Sequence, residues 1–190
     1  MKELFVDIQR CAACKACEIA CAVEHSTSKE LFGAVSERPA PQKRVHVESA
    51  RAYAYPACCL HCGDAPCIAA CPNGAMSRDA DSGAVVVNEG RCLGCLMCAM
   101  VCPFGAISAH PAKRVAVKCD RCPDREKRGQ QPACVDACPT HALQFGDEED
   151  LMKEKRLSTA ARVAQAVSGA AVVQQPGSTP LDTLRSLRGC

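Results

Sequence analysis

The stretch Cys92-Leu93-Gly94-Cys95-Leu96-Met97-Cys98-Ala99-Met100-Val101-Cys102-Pro103 constrains this chain more than any other feature. Its cysteines are two, two and three residues apart, and a proline closes the run. Three thiolates at that spacing can each take one corner of a single inorganic centre. The fourth lies a helical turn past Cys98 and faces away from the other three. A lone C-x-x-C pair says little. The full run with its proline is an iron–sulfur ligand spacing, and in two-cluster proteins its fourth cysteine serves the neighbouring cluster.

Three variants of the run occur elsewhere. The first is Cys11, Cys14, Cys17 and Cys21, with Leu4 to Ile8 as a short strand leading into it. Ala22 stands where proline would stop the helix, so a helix is expected to run on through Glu24 and His25. An insertion follows from Ser26 to Tyr55. It holds Pro39, Pro41 and a strand-like Val45-His46-Val47-Glu48. The second run is Cys59, Cys62, Cys67 and Cys71-Pro72. Counting from Cys58 would widen the first spacing to three, so Cys59 is the expected ligand. His61 reads as a hydrogen-bond donor or a solvated ring, because four thiolates already complete the set. A strand at Ala84-Val85-Val86-Val87 feeds the third run, and Phe104-Gly105-Ala106-Ile107 reads as its apolar return strand.

Val115-Ala116-Val117 then leads to Cys119, Cys122, Cys134 and Cys138-Pro139, where eleven residues separate the middle pair. That gap, Pro123 to Ala133, is rich in Arg, Lys, Gln and Gly and reads as an exposed loop. Alone, this run would suit zinc. Beside the other three it reads as one more copy of a repeat: strand, cysteine run, short small-residue helix, strand.

Composition supports a metal-filled interior. The 190 residues include 18 Cys but no Trp, 2 Tyr and 4 Phe, so large aromatic core filling is scarce. A disulfide scaffold would need an oxidising compartment. Met1 to Arg10 shows neither an apolar export core nor twin arginines, and no window is apolar enough to span a bilayer. The expectation is a cytoplasmic protein with reduced thiols, peripheral to a membrane only through a partner. The formal charge is +2. Four thiolate-held cubanes at about −2 each would take it to about −6. No basic patch with a docking motif points to nucleic acid.

The last forty residues carry no cysteine until Cys190. Asp147 to Asp150 reads as an acidic first helical turn. Leu151, Leu157, Ala160, Ala161, Ala164 and Val167 form a modest apolar face. Gln174 to Ser178 reads as a linker, and Thr179-Pro180 as a helix start. Residues 151 to 190 hold six Lys/Arg against two Asp/Glu. This basic tail either folds back on an acidic body or reaches a partner.

The four runs in this order, with the long gap in the fourth, resemble the four-cluster iron–sulfur subunits of multi-subunit oxidoreductases. Within that family, Cys17-Glu18-Ile19-Ala20-Cys21-Ala22-Val23-Glu24-His25-Ser26, with Lys29, Leu31 and Phe32, is most similar to the electron carrier of nickel–iron carbon monoxide dehydrogenase. The resemblance implies an α+β fold of nested ferredoxin-like lobes: 1–55 plus 110–146, an inserted lobe 56–109, and a helical tail 147–190. It implies four 4Fe-4S clusters. Cys11, Cys14, Cys17 and Cys138 would hold one, and Cys119, Cys122, Cys134 and Cys21 its neighbour. Cys59, Cys62, Cys67 and Cys102 would hold a third, and Cys92, Cys95, Cys98 and Cys71 the fourth. Cys58 and Cys190 are left over as free thiols.

The expected function is electron transfer from a carbon monoxide dehydrogenase catalytic subunit to a hydrogenase or other acceptor, in an anaerobic setting. The alternative partners are a formate dehydrogenase, formate hydrogenlyase or molybdopterin oxidoreductase. Catalysis is expected in the partner, since no dinucleotide fingerprint, Walker A loop or hydrolase elbow is present. A zinc-stapled interaction module would be colourless and redox-silent. Lys15, Lys118 and Arg121 flank ligands and would tune or dock if they are not simply solvated surface.

Overall fold

Four two-stranded ribbons, with no larger sheet, carry the described residues, 2–170 of this computed structural model. Strand β1 (Lys2–Val6) pairs with β8 (Leu143–Asp147), so the first and last strands meet. Between them in sequence lie β2 (Val45–Ala50) with β3 (Tyr53–Cys58), β4 (Met76–Arg78) with β5 (Val85–Val87), and β6 (Ile107–Ala109) with β7 (Ala116–Lys118). The last three pairs are antiparallel, with Val45 opposite Cys58, Met76 opposite Val87, and Ile107 opposite Lys118. A lone hairpin is marginal in water, so these ribbons depend on what packs against them.

The helices before residue 146 are equally short. They are α1 (Ala16–Glu24), α2 (Leu31–Ser36), α3 (Pro66–Ala69), α4 (Met97–Met100), α5 (Pro123–Lys127) and α6 (Ala133–Asp136). None approaches the length at which a helix stands alone. Four of them, α1, α3, α4 and α6, carry cysteines of the four runs.

Two apolar clusters form the interior. One gathers Cys17, Cys21, Val45, Val47, Ala54, Cys58, Cys134 and Leu143. The other gathers Ala65, Cys67, Met76, Val85, Cys98, Ile107 and Ala116. Both are small-residue clusters with cysteine inside them, as expected of a chain short of aromatic filling.

Several element boundaries differ from the sequence reading. β1 ends at Val6, because Asp7 caps a 3-10 turn over Ile8–Arg10, its carboxylate accepting from Gln9 N–H at 3.1 Å. Phe104, Gly105 and Ala106 are not strand; Gly105 takes a left-handed φ of +58°, and the return strand begins at Ile107. The insertion contains helix α2, and a second strand, β3, crosses its end with every other residue buried. The gap of the fourth run is not all loop: Pro123 opens α5, with Asp124 and Glu126 in its first turn. Helix α1 does run to Glu24, with His25 as its cap.

The chain divides into two units, Met1–Phe145 and Gly146–Cys190. The second contains helix α7 (Glu148–Ala170), whose first turn holds Glu148, Glu149 and Asp150. Of the modest apolar face, Leu157 is exposed and Leu151 and Val167 are half-buried. The linker at Gln174–Ser178, the helix start at Thr179 and Cys190 lie outside the described residues. Among the described residues no helix is long and apolar enough to cross a membrane.

Candidate metal centres

Each cysteine run begins with a sharp reversal. The residue two places after its first cysteine has left-handed backbone: Ala13, His61, Gly94 and Arg121, with φ of 56°, 50°, 67° and 65°. A second left-handed residue follows in each, at Lys15, Ala65, Leu96 and Cys122. Such a conformation costs a non-glycine residue about 1–2 kcal/mol. It turns successive thiols and backbone N–H groups toward one centre, which is how anionic groups are cradled. Gly94 has a further reason: a Cβ there would run into the Arg114 carbonyl oxygen.

The short helices then carry the next cysteines away from that centre. Four cavities result, each lined by four of the expected ligands. Cys11, Cys14, Cys17 and Cys138 line one. Cys21, Cys119, Cys122 and Cys134 line the next. Cys59, Cys62, Cys67 and Cys102 line a third, and Cys71, Cys92, Cys95 and Cys98 a fourth. So the fourth cysteine of each run lies with three from another run. Cys59 also reaches the cavity of Cys21, and Cys58 lies on that wall as an additional buried thiol.

The walls are otherwise mainly apolar, with residues such as Leu93, Leu96, Met76 and Val87 around one quartet and Val85, Phe104 and Ile107 around another. Backbone N–H groups point at sulfur: Arg44 to Cys21 at 3.2 Å, Ala75 to Cys71 at 3.2 Å, Ala116 to Cys92 at 3.4 Å, and His61 to Cys59 at 3.4 Å. Burial pushes the Cys17 thiol up to about 11 and the Cys21 and Cys122 thiols up to about 12. Cys71 and Cys138 move the other way, because converging backbone N–H groups outweigh burial. These donor sets fit iron–sulfur clusters. A single zinc ion, with zinc–sulfur bonds near 2.3 Å, would need its thiolates close to one another, and among the described residues no cysteine quartet is drawn together in that way.

A polar network surrounds the cavity of Cys21. Asp120 accepts from Cys122 N–H at 3.0 Å and pairs with His25 Nε2 at 3.2 Å and with Arg44 Nη1. His25 Nδ1 lies 2.7 Å from the Cys21 carbonyl oxygen. Burial would raise the Asp120 carboxyl, but these partners hold it well below the usual carboxylate range. His25, Asp120 and Cys122 also form the one His/Cys/acid group among the described residues close enough for an ion, a proximity this ion pair explains. Buried Glu18 accepts from Val47 N–H at 2.5 Å and pairs with Lys43 at 2.6 Å. Arg125 ties α5 to Glu24 at 3.5 Å and to Asp136 at 2.9 Å.

Three expectations need correction. His61 is not a solvated ring: it is buried, and Val85 N–H donates to its Nδ1 at 2.8 Å. Burial and the nearby Lys118 and Arg121 charges push its pKa down to about 2. Lys118 and Arg121 are not solvated surface but are buried at 3% and 4% exposure. Only Lys15 is exposed as expected. Sequence reasoning missed Glu18, Arg44 and Asp120; Asp120 was visible between two ligands, whereas Arg44 sits in the insertion with no spacing signal.

Residues 50–148 match the family model described as a 4Fe-4S dicluster domain. An iron-sulfur protein of Rhodospirillum rubrum is 41% identical over 156 residues, which cover 76% of this chain and 81% of that protein. The electron transport protein HydN of Escherichia coli K12 is 38% identical over 175 residues, covering 83% and 96%. The B subunit of anaerobic dimethyl sulfoxide reductase from the same organism is 39% identical over 155 residues, covering 79% and 75%.

Proposed function

The chain belongs to the 4Fe-4S dicluster family, and from that premise we propose that its four cysteine quartets hold four 4Fe-4S clusters in a row, nested as two lobes. The protein is an iron–sulfur electron-transfer subunit of the kind that serves oxidoreductase complexes, and the substrate chemistry belongs to its partner. When bound, each cluster supplies a one-electron couple. The chain's own residues hold, space and insulate these centres.

The observation that carries the reading is the sharing of helices between quartets. Cys17 lines one cavity, and Cys21, one turn along α1, lines the next. Cys134 and Cys138, on and just past α6, repeat that relation. Cys67 and Cys71 around α3, and Cys98 and Cys102 around α4, do the same for the other pair of cavities. The two inner cavities share Cys59 and His61. The order is therefore Cys14 end, Cys21 cavity, Cys59 cavity, Cys95 end. Cys14 and Cys95 are the two exposed thiols among the described residues, so donor and acceptor would approach opposite ends.

For the partners, we favour a carbon monoxide dehydrogenase as donor and a hydrogenase or other oxidoreductase as acceptor, on the resemblance of residues 17 to 32. The second reading is a subunit of a molybdopterin-type reductase or a formate-oxidising complex. The similarity to the dimethyl sulfoxide reductase subunit supports it. To separate them, the oxygen-free protein is mixed with carbon monoxide and catalytic amounts of the dehydrogenase. Bleaching of the broad visible absorbance is expected, with no bleaching by carbon monoxide alone. Reduction by formate dehydrogenase or a molybdenum subunit instead would move the assignment to the second reading. Stoichiometric zinc in place of about 16 irons per chain would overturn the electron-transfer reading itself.

A further inference from the structure

Among the described residues, three buried side-chain nitrogens have no hydrogen-bond partner: Arg44 Nε, His61 Nε2 and Arg121 Nε. All three residues line the cavity of Cys21, Cys119, Cys122 and Cys134. His61 also touches the neighbouring cavity; Arg44 and Arg121 line none of the other three. A buried polar group left unpaired costs about 1–3 kcal/mol. Three on one wall indicate an absent acceptor.

Their chemistry says which kind. A guanidinium Nε–H only donates. His61 accepts Val85 N–H at Nδ1, so its neutral ring carries the proton on Nε2, and that nitrogen also donates. The three unpartnered nitrogens are all donors, and all belong to residues lining one cavity, as suits thiolate and sulfide sulfur.

Charge agrees with hydrogen bonding. The Arg121 side chain is 4% exposed, and its one ion partner, Glu3, is 3.8 Å away and 46% exposed. Lys118 is 3% exposed and donates to the carbonyl oxygens of Val85 and Cys119 rather than to a carboxylate. Arg44 shares Asp120 with His25. Arg121 and the nearby Lys118 are thus buried without a buried carboxylate partner, while Arg44 is matched by half-buried Asp120, which leaves a surplus of buried positive charge beside this cavity. Uncompensated buried charge is expensive, so the surplus requires an anionic occupant.

We propose that Arg44, His61 and Arg121 set the reduction potential of the cluster held by Cys21, Cys119, Cys122 and Cys134. Their buried N–H groups donate into its cavity and, with Lys118, hold that potential above the value the four thiolates would give alone. The proposal rests on the four-cluster reading. Reduction of this site by one electron from the neighbouring centre breaks no bond and moves no proton; it adds one negative charge. Burial disfavours that charge, and Cys21, Cys122 and Cys134 are all buried. Donor hydrogen bonds and adjacent cations favour it. The inner step of the row then keeps within reach of its neighbours instead of becoming a barrier.

The test is an anaerobic redox titration of the full-length holoprotein, followed by electron paramagnetic resonance, with iron quantified for every variant. Cys119→Ser first identifies which signal belongs to this site. Arg121→Gln should then shift that signal's oxidised-to-reduced ratio at fixed potential at least tenfold toward oxidised, about 59 mV for a one-electron couple. Arg121→Lys, which keeps the charge but not the Nε–H, should give a smaller shift in the same direction. Lys113→Gln, an exposed residue paired with Glu89, should leave the signal in place. If Arg121→Gln loses iron, His61→Phe and Arg44→Lys are titrated in its stead, and lowered midpoints support the proposal. Unchanged midpoints with full iron content overturn it. A wild-type chain that binds no iron overturns the four-cluster reading instead, so the two failures are distinguishable.

Discussion

Around Cys59 to Cys102 the chain is economical. Two three-residue hairpins and two one-turn helices enclose two quartets, and polar side chains mostly serve carbonyl groups. Arg78 donates to the carbonyls of His61, Gly63 and Gly83 at 3.3, 3.1 and 2.7 Å, and Asn73 to that of Arg91 at 2.7 Å. Around Cys11 to Cys21 and Cys119 to Cys138 the same cysteine pattern is elaborated. A six-residue hairpin, α2 and α5 are added, and carboxylates pair with basic side chains: Glu18 with Lys43, Asp120 with Arg44 and His25, and Arg125 with Glu24 and Asp136. The compact half closes over short loops. The elaborated half must hold together segments about a hundred residues apart in sequence, where loop closure is costlier. Its partly buried ion pairs have no counterpart in the short-loop half, whose Lys113–Glu89 pair is exposed.

The severest challenge to this contrast is to remove the iron. Both halves have cysteine inside their small apolar clusters, so chelation should unfold residues 2–145 together, seen as lost far-ultraviolet circular dichroism and collapsed amide dispersion. Should the ion-paired half keep a native-like spectrum without iron, its polar network is an independent scaffold.

Next in size is the loss of one shared ligand. Cys21→Ser should disturb the same spectroscopic signal as Cys119→Ser, because both line one cavity. Disturbance confined to the signal altered by Cys11→Ser would instead place Cys21 in its own run's set.

Gly94→Ala probes the compact half. With a φ of +67° and a carbonyl in the way, it should cost about 3 kcal/mol. Gly105→Ala, at φ +58° with nothing within 4 Å, should cost about 1 kcal/mol. Guanidinium midpoints for cluster bleaching measure both; equal shifts would mean that the loop around Gly94 yields.

Glu18→Gln probes the elaborated half and should cost about 1–3 kcal/mol by weakening what holds Val47 N–H and Lys43. Burial alone would raise the Glu18 carboxyl, but Lys43 and the Val47 N–H outweigh it and hold the folded pKa below the ordinary value of 4.5. A depressed folded pKa gives stability that is present above the unfolded value and lost as pH falls through the folded one. Wild type and variant should therefore differ by a constant amount above about pH 4.5 and converge below it. A difference that grows in acid would point to another group.

The cysteine spacing alone determined the cofactor class, the repeat and the places where short helices begin. Ligand geometry demands particular intervals, and those intervals are written directly in the chain. Helix α1 was legible for the same kind of reason: Ala22 does not break a helix as Pro72, Pro103 and Pro139 do. What stayed hidden was whatever depends on approach through space. The left-handed turns at Ala13 and Arg121 occur in residues with no local preference for them, and the closing of each thiol loop requires them. Strand β3, which crosses the end of the insertion, was not read from the sequence. Lys118 and Arg121 read as surface because charged residues normally are. Folding brings runs two and four against one another, and that buries both cations beside thiols whose partners lie up to about a hundred residues away.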